Sequence, residues 1–112
     1  MNRRKHTRKR VDVALTIQVG DNEPVSARAN DMSVGGMFIT GDAPFEFGAV
    51  VTLQISLPDL GTPVEAEATV RWVGGGGIGV QFAALGARAT YEITEYVARC
   101  PAIRDMRDPA DE

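Results

Sequence analysis

The sequence VDVALTIQV, residues 11–19, places an apolar side chain at every second position, with polar or small residues between. An alternation of period two over nine residues predicts a β-strand with one buried face. The turn residues Gly20-Asp21-Asn22 end this strand. The preceding ten residues are strongly basic and do not continue the pattern.

The same alternation recurs farther along the chain. Strands are predicted at residues 25–30, 37–40, 51–57, 64–72 and 78–82. Turn sequences separate them, including SVGG at 33–36, PDLGTP at 58–63 and four glycines at 74–77. Five or six strands spaced about ten residues apart indicate an all-β barrel or sandwich.

After residue 86 the spacing of apolar residues changes to three or four, as in an amphipathic helix. This face comprises Ala89, Ile93, Tyr96, Val97 and Cys100. Pro101 is expected to end the helix. We therefore divide the chain into a flexible basic N-terminal arm at 1–10, a barrel with a C-terminal helix at 11–100, and a polar tail at 101–112.

Charge is unevenly distributed along the sequence. Residues 1–10 hold six of the twelve basic residues and no acidic one, so the remaining chain carries a formal charge of −9. This asymmetry predicts an anionic partner for the arm. It argues against a nucleic-acid-binding surface across the body, because an acidic body repels phosphate. The few aromatic residues, mostly at predicted core positions, also argue against stacking on single-stranded nucleic acid.

The sequence offers little for catalysis. One histidine and one cysteine exclude a histidine-rich metal site and a zinc cluster, and Cys100 is far along the chain from His6. Glu65 and Glu67 are expected on a solvated strand face. We predict no enzyme activity, no metal and no cofactor. A lone cysteine, no secretory signal and no apolar run of about 18 residues predict a cytoplasmic protein without membrane insertion.

The arm contains a cluster of arginines. Arg4 and Arg8 flank Lys5-His6-Thr7, and Arg3 precedes them. The planar guanidinium matches phosphate oxygens and the N7/O6 edge of guanine, and it stacks on purine rings. This cluster suits a ligand with both phosphates and guanines. The alternative is a solvated basic tail, or an arm that binds nucleic acid or anionic lipid nonspecifically.

A second cluster is DMSVGG, residues 31–36. Asp31 and Ser33 are two apart on an extended segment and point to the same side. An aspartate can accept two hydrogen bonds from N1 and N2 of guanine, and the two glycines allow a sharp turn close to a ligand. The alternative is an Asx or Ser turn that only joins two strands.

These segments resemble motifs of the PilZ domain family. RKHTR at 4–8 matches the family's RxxxR motif, DMSVGG at 31–36 matches [D/N]xSxxG, and GIGVQF at 77–82 is similar to a common ending of the PilZ barrel. The similarity extends from about residue 3 to residue 97. The resemblance implies a six-stranded antiparallel β-barrel with a C-terminal α-helix, and cyclic di-GMP as the ligand.

The resemblance also implies roles for the motif residues. Arg4 and Arg8 would hold guanine edges and phosphates. Asp31 and Ser33 would contact the other side of a guanine, and Gly36 would allow the turn.

Two further residues bear on the ligand site. An arginine at the position of Arg3 often accompanies the binding of two stacked ligand molecules in this family. Trp72 continues the apolar face of its strand, so interior packing is the default prediction. The alternative is a place at the barrel rim, bordering the ligand, because the glycine run follows it.

The function implied is a bacterial receptor for cyclic di-GMP. Ligand binding would close the arm onto the barrel, and the changed surface would signal to a separate, unknown protein partner. The alternative is a PilZ-like adaptor that binds no nucleotide and acts by protein contact. A nonspecific nucleic-acid-binding barrel ranks third.

Overall fold

The computed structural model describes residues 8–41, 45–58 and 60–100 of the 112-residue chain. They form β1 (Lys9–Gln18), β2 (Val25–Ser33), β3 (Gly36–Thr40), β4 (Val50–Ser56), β5 (Val64–Gly74), β6 (Gly77–Phe82) and α1 (Ala87–Arg99). Paired strands are antiparallel, and the order β1-β2-β3-β6-β5-β4 closes into a barrel because β1 also pairs with β4. The predicted six-stranded antiparallel barrel with a C-terminal helix is confirmed.

All six strands extend beyond their predicted limits at one end, by one to three residues. β1 begins at Lys9, so the strand includes Lys9 and Arg10, which the sequence analysis placed in the arm. β2 continues to Ser33, because the fully buried Met32 extends the inward face of the strand. The rest of the arm (residues 1–7) and the polar tail (101–112) lie outside the described residues.

The barrel interior is built by the alternation seen in the sequence. On β4 the inward residues Val51, Leu53 and Ile55 are at most 1% exposed, while the residues between them face outward. β1 and β5 follow the same rule over most of their length. Outward positions of β5 include Glu65 and Glu67, which are exposed as expected. Closing the sheet buries one apolar face of every strand, which favours the barrel. Closure also leaves no strand edge with unpaired backbone groups.

Helix α1 packs against β5 and β2 through one apolar face. Ala89, Ile93 and Val97, spaced four apart, are buried, and Tyr96 is partly buried beside them. Burial, and then the Cys100 side chain, raise the pKa of Tyr96 to about 12. In the described part of the chain, no helix is both long and apolar enough to cross a membrane.

Lys9 fastens the end of this helix to the start of β1. Its Nζ donates hydrogen bonds to the backbone oxygens of Val97 and Cys100, each at 3.0 Å. The last carbonyls of a helix have no partner within the helix, and they carry the negative end of its dipole. Lys9 therefore gives the Cys100 carbonyl a partner, adds a second donor to the Val97 carbonyl, which also accepts from Cys100 N–H at 3.2 Å, and is favoured there by charge.

Candidate functional site

An open cleft of about 450 Å³ lies on the outer side of the barrel. Strands β2, β3, β6 and β5 supply most of its lining, and Arg8, just before β1, lies at one side. The predicted site residues that line it are Arg8, Asp31, Ser33, Gly36 and Trp72. Arg3 and Arg4 are also predicted site residues, and both lie outside the described residues.

A β-bulge in β2 turns Asp31 toward the cleft. Ala29 pairs with Ile39 of β3, and Asp31 pairs with the next residue, Phe38, so β2 holds one extra residue, Asn30. A bulge reverses which side successive residues face. Ala29 and Met32 are both fully buried. Asp31 therefore lies on the outer side, where strict alternation from Ala29 would have buried it.

Arg8 and Asp31 form an ion pair across the 23 residues that separate them. Arg8 Nε and Nη2 both donate to Asp31 Oδ1, at 3.1 and 2.5 Å. The side chains are 34% and 19% exposed. Among the described residues none donates to Asp31 Oδ2, so that oxygen can accept from a ligand. Because the pair is only partly buried, a ligand can reach the Arg8 guanidinium and compete for it.

Ser33 and Gly36 shape the turn between β2 and β3. The Ser33 hydroxyl accepts a hydrogen bond from Gly35 N–H at 3.0 Å. This bond forms the Ser turn that the sequence analysis gave as the alternative interpretation of residues 31–36. The O–H proton of Ser33 has no acceptor among the described residues and remains available. Gly36 was expected to allow a sharp turn, but its φ is not positive. A Cβ there would overlap the Val80 carbonyl oxygen, so Gly36 is required by the close approach of β6.

Trp72 lies at the cleft and not in the barrel interior, so the default prediction of interior packing is wrong. Its side chain is 53% exposed. The cause is a second bulge: Val70 pairs with Val80, but Trp72 pairs with Gly79, which leaves one extra residue in β5. The extra residue reverses the alternation just before Trp72.

The indole of Trp72 rests on the glycine hairpin. A Cβ on Gly74 or Gly75 would lie only 3.2 or 3.3 Å from Cη2 of Trp72, so the absence of side chains makes room for the ring. Phe38 lies beside it, with ring centroids 5.9 Å apart and planes at 53°. The run of glycines after a tryptophan was the sequence signal for this location.

Sequence reasoning missed two polar side chains that line the cleft, Arg71 and Gln81. Arg71 Nε donates to Gln81 Oε1 at 3.0 Å. Simple alternation put Arg71 and Trp72 on opposite faces of β5, and only the bulge places both at the cleft. No pattern within a single strand reveals such a bulge, because it is defined by pairing with the neighbouring strand.

The cleft thus combines two guanidinium groups, one carboxylate, one free hydroxyl proton and an exposed indole. Guanidinium groups bind phosphates and base edges, and an indole face stacks on a base. The arrangement is chemically suited to an anionic ligand that carries aromatic bases. Within residues 8–41, 45–58 and 60–100, no cluster of three or more His, Cys, Asp or Glu could hold a metal ion.

Comparison with known proteins gives one family and several similar structures. The family model of the PilZ domain matches residues 2–99. The fold is similar to the PilZ domain with c-di-GMP of YcgR from Escherichia coli, with TM-score 0.69, 13% identity and coverage of 88% of this chain and 92% of that one. It is also similar to the PilZ domain of CeSA from a cellulose-synthesizing bacterium, with TM-score 0.65, 16% identity and coverage of 81% and 94%.

A third similar structure is the Bacillus subtilis inhibitor of motility, MotI/DgrA, with TM-score 0.74 and 21% identity. The match covers 88% of this chain but 51% of that protein, so this chain spans about half of its length. At these identities the three structures establish the shared fold. The search of curated proteins gave no match.

Proposed function

From the premise that this chain belongs to the PilZ domain family, we propose that its cleft binds cyclic di-GMP. The observation that carries the proposal is the meeting of the two sequence motifs at one place. Arg8, from the first motif, is hydrogen-bonded to Asp31, from the second, at the edge of a cleft. Phosphates and guanines are the groups that such residues recognise.

In the proposed complex each polar group has a matching group on the ligand. Asp31 Oδ2 accepts from N1–H or the N2 amino group of guanine, and the Ser33 hydroxyl donates to a ligand oxygen. Arg8 binds a phosphate or a guanine edge, and the indole of Trp72 covers the face of a base. By family resemblance Arg4 joins Arg8, and Arg3 supports a second ligand molecule.

The proposed output is a change in the arm, read by a separate protein. Six positive charges within ten residues repel one another, and an anionic ligand neutralises that repulsion. The arm would then close over the cleft and change the surface next to it. One protein of similar fold is an inhibitor of motility, which fits a receptor that acts through protein contact. The proposal includes a cytoplasmic location and no catalytic activity.

The Arg8–Asp31 ion pair also supports a second candidate. In an adaptor that binds no nucleotide, the same pair would simply hold the start of β1 against β2. The two candidates differ in one measurable property, which is affinity for the nucleotide.

Calorimetric titration with cyclic di-GMP tests the proposal, with cyclic di-AMP and GTP as controls. We expect saturable heat with cyclic di-GMP and much weaker binding of the controls. The single tryptophan gives a second readout, because a base covering the exposed indole should quench its fluorescence. A folded protein, verified by circular dichroism, that gives no heat and no quenching at high ligand concentration would favour the adaptor.

A further inference from the structure

We propose that Arg71 reads a guanine base at the β5 side of the cleft and that Gln81 positions it. The inference rests on the proposed function and adds a specificity residue outside both sequence motifs. It follows from three observations: the spacing of the strands, the hydrogen bonding of Arg71, and the surroundings of its guanidinium.

The cleft is too wide for the residues of the two motifs to contact everything within it. Strands β3 and β6 lie between β2, which carries Asp31, and β5, which carries Arg71. Three interstrand spacings amount to about 14 Å along the sheet. One base held by Asp31 therefore leaves the β5 side free for another base, from the same ligand molecule or from a second one.

Arg71 is held in place but keeps free donors. Its Nε is used by the hydrogen bond to Gln81 Oε1 at 3.0 Å. In the described part of the chain, neither of its Nη atoms makes a hydrogen bond, and no carboxylate pairs with it. Arg8 and Arg28 differ in this respect, because Arg8 pairs with Asp31 and Arg28 pairs with Asp12.

The surroundings of Arg71 indicate a base and not only a phosphate. Trp72 follows it on the same bulge, half exposed, with Phe38 against it. A base stacked on the indole would bring its edge next to the neighbouring guanidinium. Guanine offers two adjacent acceptors, O6 and N7, to the two Nη donors, whereas adenine offers one acceptor and one donor. Arg71 thus favours guanine over adenine.

The test compares Arg71→Ala and Arg71→Lys in calorimetric titrations with cyclic di-GMP and cyclic di-AMP. Alanine should weaken cyclic di-GMP binding about tenfold to a hundredfold. Lysine should weaken it less than alanine, because the ammonium group keeps the charge and can donate to O6 or N7 but lacks the planar fork that fits both acceptors and that Gln81 holds in place. Residual binding of cyclic di-AMP should fall by a clearly smaller factor in Arg71→Ala, which removes a positive charge, and should be unchanged in Arg71→Lys, which keeps it. Arg28→Ala, which removes an exposed arginine away from the cleft, should bind as the parent does.

Gln81→Leu keeps Arg71 but removes the acceptor that holds it. We expect a smaller loss of cyclic di-GMP affinity, about threefold to tenfold. Unchanged affinity in this variant would contradict the positioning role of Gln81.

The outcomes separate this inference from the proposed function. If the parent binds cyclic di-GMP and Arg71→Ala binds equally well, the role of Arg71 is wrong and the proposed function stands. If Arg71→Ala weakens cyclic di-GMP and cyclic di-AMP by the same factor, Arg71 acts by charge alone and does not read guanine. If the folded parent binds no cyclic di-GMP, the proposed function fails, and the inference fails with it.

Discussion

Replacing Arg8 with alanine should reduce ligand binding far more than stability. The ion pair it removes is between side chains that are 34% and 19% exposed, so its loss should lower the free energy of unfolding by only about 0.5–1 kcal/mol. The same guanidinium makes a charged contact to the ligand in the proposed complex. Loss of that contact should cost about 1.5–3 kcal/mol, which weakens binding roughly tenfold to a hundredfold.

The assay pairs urea unfolding with calorimetric titration of cyclic di-GMP. Arg28→Ala is the matched control, because Arg28 also forms an ion pair and its partner Asp12 is far more exposed than Asp31. The control should lose little stability and no affinity. The double variant Arg8→Ala/Asp31→Ala, compared with both single variants, measures the coupling between Arg8 and Asp31 in stability and in binding.

Two results would refute this reasoning. If Arg8→Ala binds as the parent does, the ion pair serves only to fasten β1 to β2. If the variant loses several kcal/mol of unfolding free energy, the pair is a major structural contact, and the weakened binding cannot be assigned to the ligand.

Four further predictions concern the cleft and the helix. Asp31→Ala should weaken binding of cyclic di-GMP more than of cyclic di-AMP, since adenine lacks the N1–H and N2 donors; titrations showing equal losses would mean that Asp31 only shapes the loop. We propose two ligand molecules per chain, with Arg3→Leu shifting the calorimetric ratio toward one; a parent ratio of one would contradict this. Gly36→Ala should destabilise the barrel by about 1–3 kcal/mol in urea unfolding, because its Cβ would meet a carbonyl oxygen of β6; full stability would show that β6 can move aside. The raised pKa of Tyr96 favours the protonated phenol in the fold, so the stability it contributes should be present below pH 10 and lost as the pH rises to about 12. This loss should be absent in Tyr96→Phe and kept in Tyr91→Phe, whose ring is exposed.

The sequence predicted those features that a single strand or helix determines by itself. The alternation around Leu15 and Leu53, the glycine hairpin and the face of α1 all formed as expected, because burial of one apolar face depends on local spacing. The closed barrel came from the family resemblance, since period two alone was equally compatible with a sandwich.

The features that were missed depend on how strands pair. The bulges at Asn30 and Arg71 each add one residue to β2 or β5 relative to the neighbouring strand, and neither residue type marks a bulge. The bulge in β5 moved Trp72 out of the interior and brought Arg71 to the cleft. The periodicity of a strand predicts its inward face only up to the first bulge, and in this barrel the bulges lie where the candidate site begins.

The hydrogen bonds of Lys9 have a consequence for the order in which the domain folds. They join β1 to the end of α1 across 88 and 91 residues. Contacts between residues so far apart carry a large loop-closure cost and tend to form late. During synthesis these bonds must wait until residue 100 has been added to the chain. Arg8, the preceding residue, is held at the cleft by Asp31 of β2, so the start of β1 is fixed both to β2 and to α1 only after the helix has docked.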